Sequence, residues 1–411
     1  MSLDWRRFTF FNSIPSATLP SVSAADCAID AARGLIFIGE ESGAVNVING
    51  SYSSNLYFAH EGTVSHIYAS PFKDIFVTVG INENQPTFKV WYYNPAFIDD
   101  ASKTPKCAHS RILVSNGERL GDVSCLAVHS ALTYAAIGFT SGQVIVIKGD
   151  ITREKHSKLV QLHSSDYPVT TLNCGDNVMF VTTTKDSQYY NIKERNPGRR
   201  HIDEKGCAPN CSTISDQGEL IIATNDSILL FDSPNDSPKK TSFTSYAVSG
   251  EKFKILSCGR YVVVLLKDHT NTSSNFFKIS IFSLKGLLNT FNNPCHALLT
   301  CPHSEKLCVF SSVFTSVHCM VHQWNSICIF SGDEELELTR LIECDVDQKL
   351  EILFQRNLFD VALSICLDHG LGEAGLADVY KRWADYLYDK GEYFQAAEKY
   401  IKVSSTRVTI L

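Results

Sequence analysis

Short apolar runs separated by brief polar breaks recur along most of this chain. The clearest set lies in Val123–Lys158. There Val123–Val128, Thr133–Phe139 and Gln143–Lys148 read as three strands. His129–Leu132 and Thr140–Gly142 read as the breaks between them, since small polar residues and Gly favour turns. The runs are rich in Val, Ile and Ala and barely alternate. Such runs mark strands covered on both faces, as in a blade packed between similar blades.

The same unit recurs at Gly34–Asn49, Ile75–Tyr92, Asn177–Ile192, Glu219–Asp232, Arg260–Ser283 and Lys306–Ser331. The spacing of about 40 to 60 residues suits four-stranded blades. The pattern predicts an all-β propeller of about seven WD40-like blades over 1–332, with six or eight left open by the varying loops. Lys89-Val90-Trp91 is the nearest trace of a WD signature. Trp5–Phe11 reads as a strand that closes the ring on the last blade. Asn94–Arg111, Asn191–Cys211, Ser233–Ser245 and His269–Asn275 read as polar insertions and loops.

After Gly332 the period changes. Acidic Asp333–Asp347 reads as a linker, 333–348, or as an exposed first helix. From Lys349 the apolar positions Leu350, Leu353, Phe354, Leu358, Val361, Ala362, Ile365 and Cys366 fall at helical spacing. Gly370 suits the position after a helix end. Further helices are predicted over about Ala374–Lys390 and Tyr393–Val403. Together, 349–403 resembles the beginning of an α-solenoid of tetratricopeptide-type hairpins. Ala396 and Ala397 permit close approach, and Trp383 and Tyr400 fill the groove. A non-periodic tail is expected over 404–411. A solenoid covers its apolar faces with about three repeats and a cap, so a longer solenoid protein or a truncated form is expected. The last hairpin should present Tyr386, Tyr393 and Tyr400 on its outer face.

Composition refines this picture. The 411 residues carry a net charge of −7, which argues against a nucleic-acid partner. The 14 Cys have no framework spacing and read as small buried hydrophobes in a reducing compartment. MSLDWRRFTFFNSIP has no secretory pattern, and no run reaches the roughly 18 apolar residues of a membrane span. A cytoplasmic protein, peripheral at most on membranes, is expected, and the sequons at Asn210, Asn225 and Asn271 then carry no sugar.

Candidate chemistry is sparse. Cys207 and Cys211 with His201 nearby have a zinc-like spacing but lack a second ligand pair. His318 and His322 share a face of one strand, where two polar residues at a blade edge is the simpler reading. Lys193, Arg195, Arg199 and Arg200 read as a solvated basic loop before an acidic-lipid or acidic-partner site. No nucleophile elbow, P-loop, dinucleotide fingerprint or zinc-protease motif is present. No catalytic, metal or cofactor site is therefore expected. Asp150, with Thr152 and Arg153, reads first as a cap on its blade and second as a rim contact for a partner. Lys155 and His156 belong to the same rim candidate, and Trp383, Tyr386, Tyr393 and Tyr400 form a second one.

Several stretches carry a more specific likeness. Asp4-Trp5-Arg6-Arg7-Phe8 with Phe10-Phe11, AIGFTSG and KGDITREKHSK within Val123–Lys158, YPVT at Tyr167–Thr170, KLEILFQRNLFDVALSI at Lys349–Ile365, and Asp385–Ile401 resemble the vacuolar protein sorting-associated protein 11 family. The likeness runs to about Lys402. It implies a non-catalytic scaffold subunit of the HOPS and CORVET complexes, which tether endosomal and lysosomal or vacuolar membranes before fusion. It further implies other class C subunits as partners, Rab GTPases and SNARE proteins reached through the complex, and peripheral residence on late endosomes and lysosomes. Family members continue through a long solenoid to a C-terminal RING-type zinc domain, which this sequence does not contain. The rival readings are a coat- or nuclear-pore-type scaffold and, from another class, a propeller hydrolase with acids and His converging on the channel.

Overall fold

A computed structural model describes residues 6–15, 18–23, 28–115, 118–194, 197–232, 243–268, 276–284, 307–333 and 335–408. The chain is a seven-bladed β-propeller followed by four helices. It divides into two compact units: Ser13–Ile281 with Ser311–Ile342, and Met1–Asn12 with Phe282–Phe310 and Glu343–Leu411.

The blades follow one another along the chain. The first comprises strands Ala28–Ala32, Leu35–Gly39, Ala44–Asn49 and Ser54–Phe58, and the second runs from Val64–Ala69 to Lys106–Ile112. The third and fourth span Val123–Val128 to Ser157–Ser164 and Val169–Cys174 to Arg200–Asp203. The fifth spans Ser212–Ile214 to Phe243–Ala247. Lys252–Cys258, Tyr261–Lys267, Phe276–Ser283 and Leu307–Thr315 belong to the sixth. Val317–Gln323, Ser326–Ser331 and Glu335–Glu343 belong to the seventh.

Each innermost strand touches the next, and Val317–Gln323 touches Ala28–Ala32, which closes a ring of seven. The core lies in wedges between blades. Phe88, Ile137, Ile145 and Ile151 fill the wedge between blades two and three; Ile36, Ile38, Phe330 and Leu338 fill that between blades seven and one. This two-sided cover is why the middle strands read as unbroken apolar runs.

Five of the seven innermost strands carry a β-bulge near their start, between Val64 and His66, Val123 and Cys125, Val169 and Thr171, Lys252 and Lys254, and Val317 and Cys319. A bulge re-aims the residue that follows it. Here several such side chains reach the innermost strand of the next blade. His66 takes a hydrogen bond with the backbone of Ser124, the Thr171 hydroxyl bonds that of Ser212, and Lys254 Nζ donates to Cys319 Sγ at 2.9 Å.

Several expectations change. Phe11–Ile14, whose first residue ends the expected strand, and Thr18–Ser23 both pair with Glu335–Glu343 and complete the last blade; Thr18–Ser23 runs antiparallel to it with Leu19 opposite Leu336. Within the expected Trp5–Phe11, Trp5 lies outside the described residues and Arg6–Arg7 instead pairs in parallel with Leu307 and Cys308. Asp333–Asp347 is neither linker nor exposed helix along most of its length. Its leucines Leu336, Leu338 and Leu341, set among polar residues, are fully buried in strand Glu335–Glu343. The insertions Asn94–Arg111 and Asn191–Cys211 hold outer strands Lys106–Ile112 and Arg200–Asp203. Residues 243–245 open strand Phe243–Ala247, while 233–242 and 269–275 lie outside the described residues. The Lys306–Ser331 unit straddles two blades, ending the sixth and beginning the seventh.

The helices are α1 Val346–Gln355, α2 Phe359–Asp368, α3 Gly372–Asp389 and α4 Tyr393–Val408. The apolar run from Leu350 to Cys366 is two helices. Asn357 at φ 55° breaks it, and Asn is among the residues that tolerate this conformation. Helix α4 continues past Val403 to Val408, within the expected tail. In the same unit Phe8 and Phe10 stack at 5.2 Å, the Cys344 amide donates to the Phe10 carbonyl, and Arg356 reaches the Arg7 carbonyl. Phe8 and Phe10 thus supply a buried aromatic seat beside the end of the first helix.

Candidate functional site

The first candidate surface is the loop Gly149–His156, between the third and fourth strands of blade three. Gly149 sits at φ 112°, and a Cβ there would lie 2.1 Å from the His156 carbonyl oxygen, so only Gly closes this loop. Asp150 accepts from the Thr152 amide at 3.0 Å and from its hydroxyl at 2.6 Å. The Thr152 hydroxyl holds the Asp150 carboxyl below the usual carboxylate range. Ile151 is fully buried, and its carbonyl meets His109 Nδ1 of blade two at 2.9 Å. Asp150 therefore caps its blade, as expected, while pairing with exposed Arg153 at 3.6 Å.

One face of this loop anchors blade three to blade two. The other displays Arg153, Glu154, Lys155 and His156 to solvent. That display is polar and of mixed charge.

The second candidate surface lies on α2–α4. The structure does not gather the four predicted aromatic residues on one face. Trp383 is half-buried and stacks on Phe359 at 5.8 Å, with Lys399 Nζ 3.8 Å from its ring centroid. Tyr386 also packs on Phe359, at 5.4 Å, so it does not belong to the outer face. Tyr400 donates to Asp385 Oδ1 at 2.5 Å, which raises its phenol above the usual range. Tyr393 is 62% exposed and meets Tyr388 edge-on at 5.1 Å. Of the two alanines only Ala396 is buried; Ala397 faces solvent. The exposed face of α4 is instead led by Phe394 at 80% and Ile401 at 67% exposure, seven residues and two turns apart. Neither was singled out, although their i, i+7 spacing with Ala397 between them was a readable signal.

The central channel, about 500 Å³, is lined by residues of all seven innermost strands, among them His66, Ser124, Thr171, Ser212, Lys254 and Cys319. Asp30 lies on the first of these strands. Burial raises its carboxyl to about 6, against a hydrogen bond from the Ala69 amide at 2.8 Å. Among the described residues no group of three His, Cys, Asp or Glu side chains is placed to hold a metal. Burial pushes the Cys207 and Cys211 thiols up to about 11 and about 12. The Cys211 thiol donates to the Lys252 carbonyl, so the zinc-like spacing is a pair of packed thiols. His318 hydrogen-bonds the Gly332 carbonyl at 2.6 Å on the channel-side edge of blade seven. The expected basic loop dissolves into ion pairs Arg199–Asp186 and Arg200–Glu194, with Arg195 outside the described residues.

The family profile described as PEP5/VPS11 N-terminal matches residues 5–343. The chain belongs to this family. It is 30% identical over 433 aligned residues to the vacuolar protein sorting-associated protein 11 homolog of Homo sapiens, covering 97% of this chain and 44% of the relative. The Mus musculus homolog gives the same identity and coverage, and the Dictyostelium discoideum homolog is 26% identical over 435 residues. The chain thus spans less than half the length of these curated relatives. Among the described residues no helix is long and apolar enough to cross a membrane.

Within this family frame the loop Gly149–His156 has a physical reason for its unusual composition. Gly149, Asp150 and Ile151 build an inter-blade staple, and Arg153, Lys155 and His156 are what the staple displays.

Proposed function

We propose that this chain is a non-catalytic scaffold of a membrane-tethering assembly that acts between endosomes and the lysosome or vacuole. The observation that carries the reading is the joining of a closed seven-bladed ring to a helical start of exposed aromatic and apolar residues, in a chain of this family. The ring is a rigid platform, because each blade is wedged between two others. The α4 face offers Phe394 and Ile401 for burial, on the order of 2 kcal/mol each when fully covered. Other class C subunits are the proposed occupants of the helical face, as the HOPS and CORVET readings require. Rab GTPases and SNARE proteins are met through the complex. Residence is peripheral, on late endosomal and lysosomal membranes.

The test is affinity capture of the 411-residue chain from cytosol with mass spectrometry, comparing wild type with Phe394→Asp/Ile401→Asp and with Lys155→Ala/His156→Ala. Recovery of tethering subunits by wild type and their loss with the helix variant supports the proposal. Recovery of coat or pore components instead would replace it with the rival scaffold reading.

A further inference from the structure

We propose that Lys254 and Cys319 form a peroxide-responsive covalent bridge across the seam between blades six and seven. The two side chains come from adjacent innermost strands, and each directly follows a bulge that re-aims it. Lys254 Nζ and Cys319 Sγ lie 2.9 Å apart, well inside the usual span of a hydrogen bond to sulfur. Elsewhere in the ring the corresponding bridges cannot become covalent: His66 meets a backbone group and Thr171 a hydroxyl. This one joins an amine to a thiol.

Access follows from position. Both residues line the central channel, whose volume of about 500 Å³ admits a hydroperoxide, a molecule little larger than water.

The chemistry balances with one equivalent of hydrogen peroxide as oxidant. The Cys319 sulfur attacks one peroxide oxygen, the O–O bond breaks, and the products are a sulfenic acid and water. The Lys254 amine, having given its extra proton to solvent, then attacks the sulfenic sulfur. An S–N bond forms as the S–O bond breaks, and the oxygen leaves as a second water carrying one amine proton. Sulfur is oxidised by two electrons and peroxide is reduced. Thiol reductants reverse the link by attack on sulfur.

The experiment treats the purified 411-residue chain with hydrogen peroxide, quenches with catalase, alkylates free thiols and maps tryptic peptides. The expected product joins the Lys254 and Cys319 peptides at two hydrogens below their summed mass, with tryptic cleavage at Lys254 lost. Dithiothreitol should restore both peptides. Lys254→Arg keeps a cation at the seam without a nucleophilic amine. There Cys319 should pass to sulfinic acid with no cross-link, and Cys319→Ser should give neither product. Circular dichroism of both variants checks that the ring has folded. If Cys319 of the wild type alkylates undiminished after peroxide, or becomes sulfinic acid while Lys254 remains cleavable, the proposal is overturned.

Discussion

The Arg356 guanidinium donates to the main-chain carbonyl of Arg7 at 2.7 Å, a contact between positions 349 residues apart. The same guanidinium lies 5.5 Å from the Phe8 ring centroid. Arg356 ends α1 and Phe8 is buried, so one exposed side chain ties the helical start to the N-terminal aromatic seat. Arg356→Met should remove one hydrogen bond and one cation–π contact, about 1 to 2 kcal/mol together. Limited proteolysis should then cut within Val346–Asp368 sooner than in wild type, while fragments of the propeller strands persist. Equal cleavage rates would show the tie to be idle.

His60 gives a pH signature. Its ring is 5% exposed, with Nδ1 at 2.6 Å from the Asn82 side chain and Nε2 at 2.8 Å from the Thr78 hydroxyl, which also accepts from Trp91 Nε1 at 2.9 Å. Burial lowers its pKa from 6.5 to about 4. Between those values the unfolded chain takes up a proton that the folded chain refuses. Stability from this group is therefore intact above pH 6.5, falls as pH drops, and is lower by about 3 kcal/mol at pH 4. Urea unfolding across pH 4 to 7 should show this slope. His60→Gln should flatten it while lowering stability at pH 7 by roughly 1 to 3 kcal/mol through the disturbed network.

The staple loop separates anchoring from display. Ile151→Ala should destabilise the propeller by about 2 to 5 kcal/mol, since Ile151 is fully buried in the wedge between blades two and three. Lys155→Ala/His156→Ala should leave the thermal midpoint within the small range usual for surface changes, about 0.5 kcal/mol. A large shift in the double variant would make the whole loop structural.

Gly138 tests the close packing of the blades. A Cβ there would lie 2.5 Å from Cys125 Sγ and 2.9 Å from Val169 Cγ1. Both neighbours are buried, so neither can swing out to solvent. Gly138→Ala should cost about 1 to 3 kcal/mol by overpacking, read as a lowered denaturation midpoint. Adding Cys125→Ala should restore part of it, because the nearest obstructing atom is then gone.

Legibility in the sequence follows burial. Middle strands such as Tyr134–Phe139 are covered on both faces, so their residues read as a continuous apolar run. Outer strands such as Lys106–Ile112 and Arg200–Asp203 have a solvent edge and a weak pattern, and they read as loops. Glu335–Glu343 was hidden differently. Glu335 and Glu337 are exposed while Leu336, Leu338 and Leu341 are buried, and the charge count masked that apolar set. Of the candidate surfaces, Asp150 was legible because its short-range bond to Thr152 is local in sequence. Tyr386 was misplaced because its partner Phe359 sits on another helix, where periodicity along one helix says nothing. The Lys254–Cys319 contact was invisible for the same reason, being set by two bulges in strands of different blades.

The closing pair Thr18–Ser23 and Glu335–Glu343 also sets a schedule for birth on the ribosome. Thr18–Ser23 is made before the first blade, but its partner only after every intervening blade. At ordinary elongation rates the wait is roughly 15 to 60 s. Through that interval the nascent ring is an open arc with bare strand edges, a form prone to pairing with the wrong neighbour. Completion of the ring therefore awaits Glu335–Glu343, the outermost strand that the seventh blade draws from the far end of the propeller.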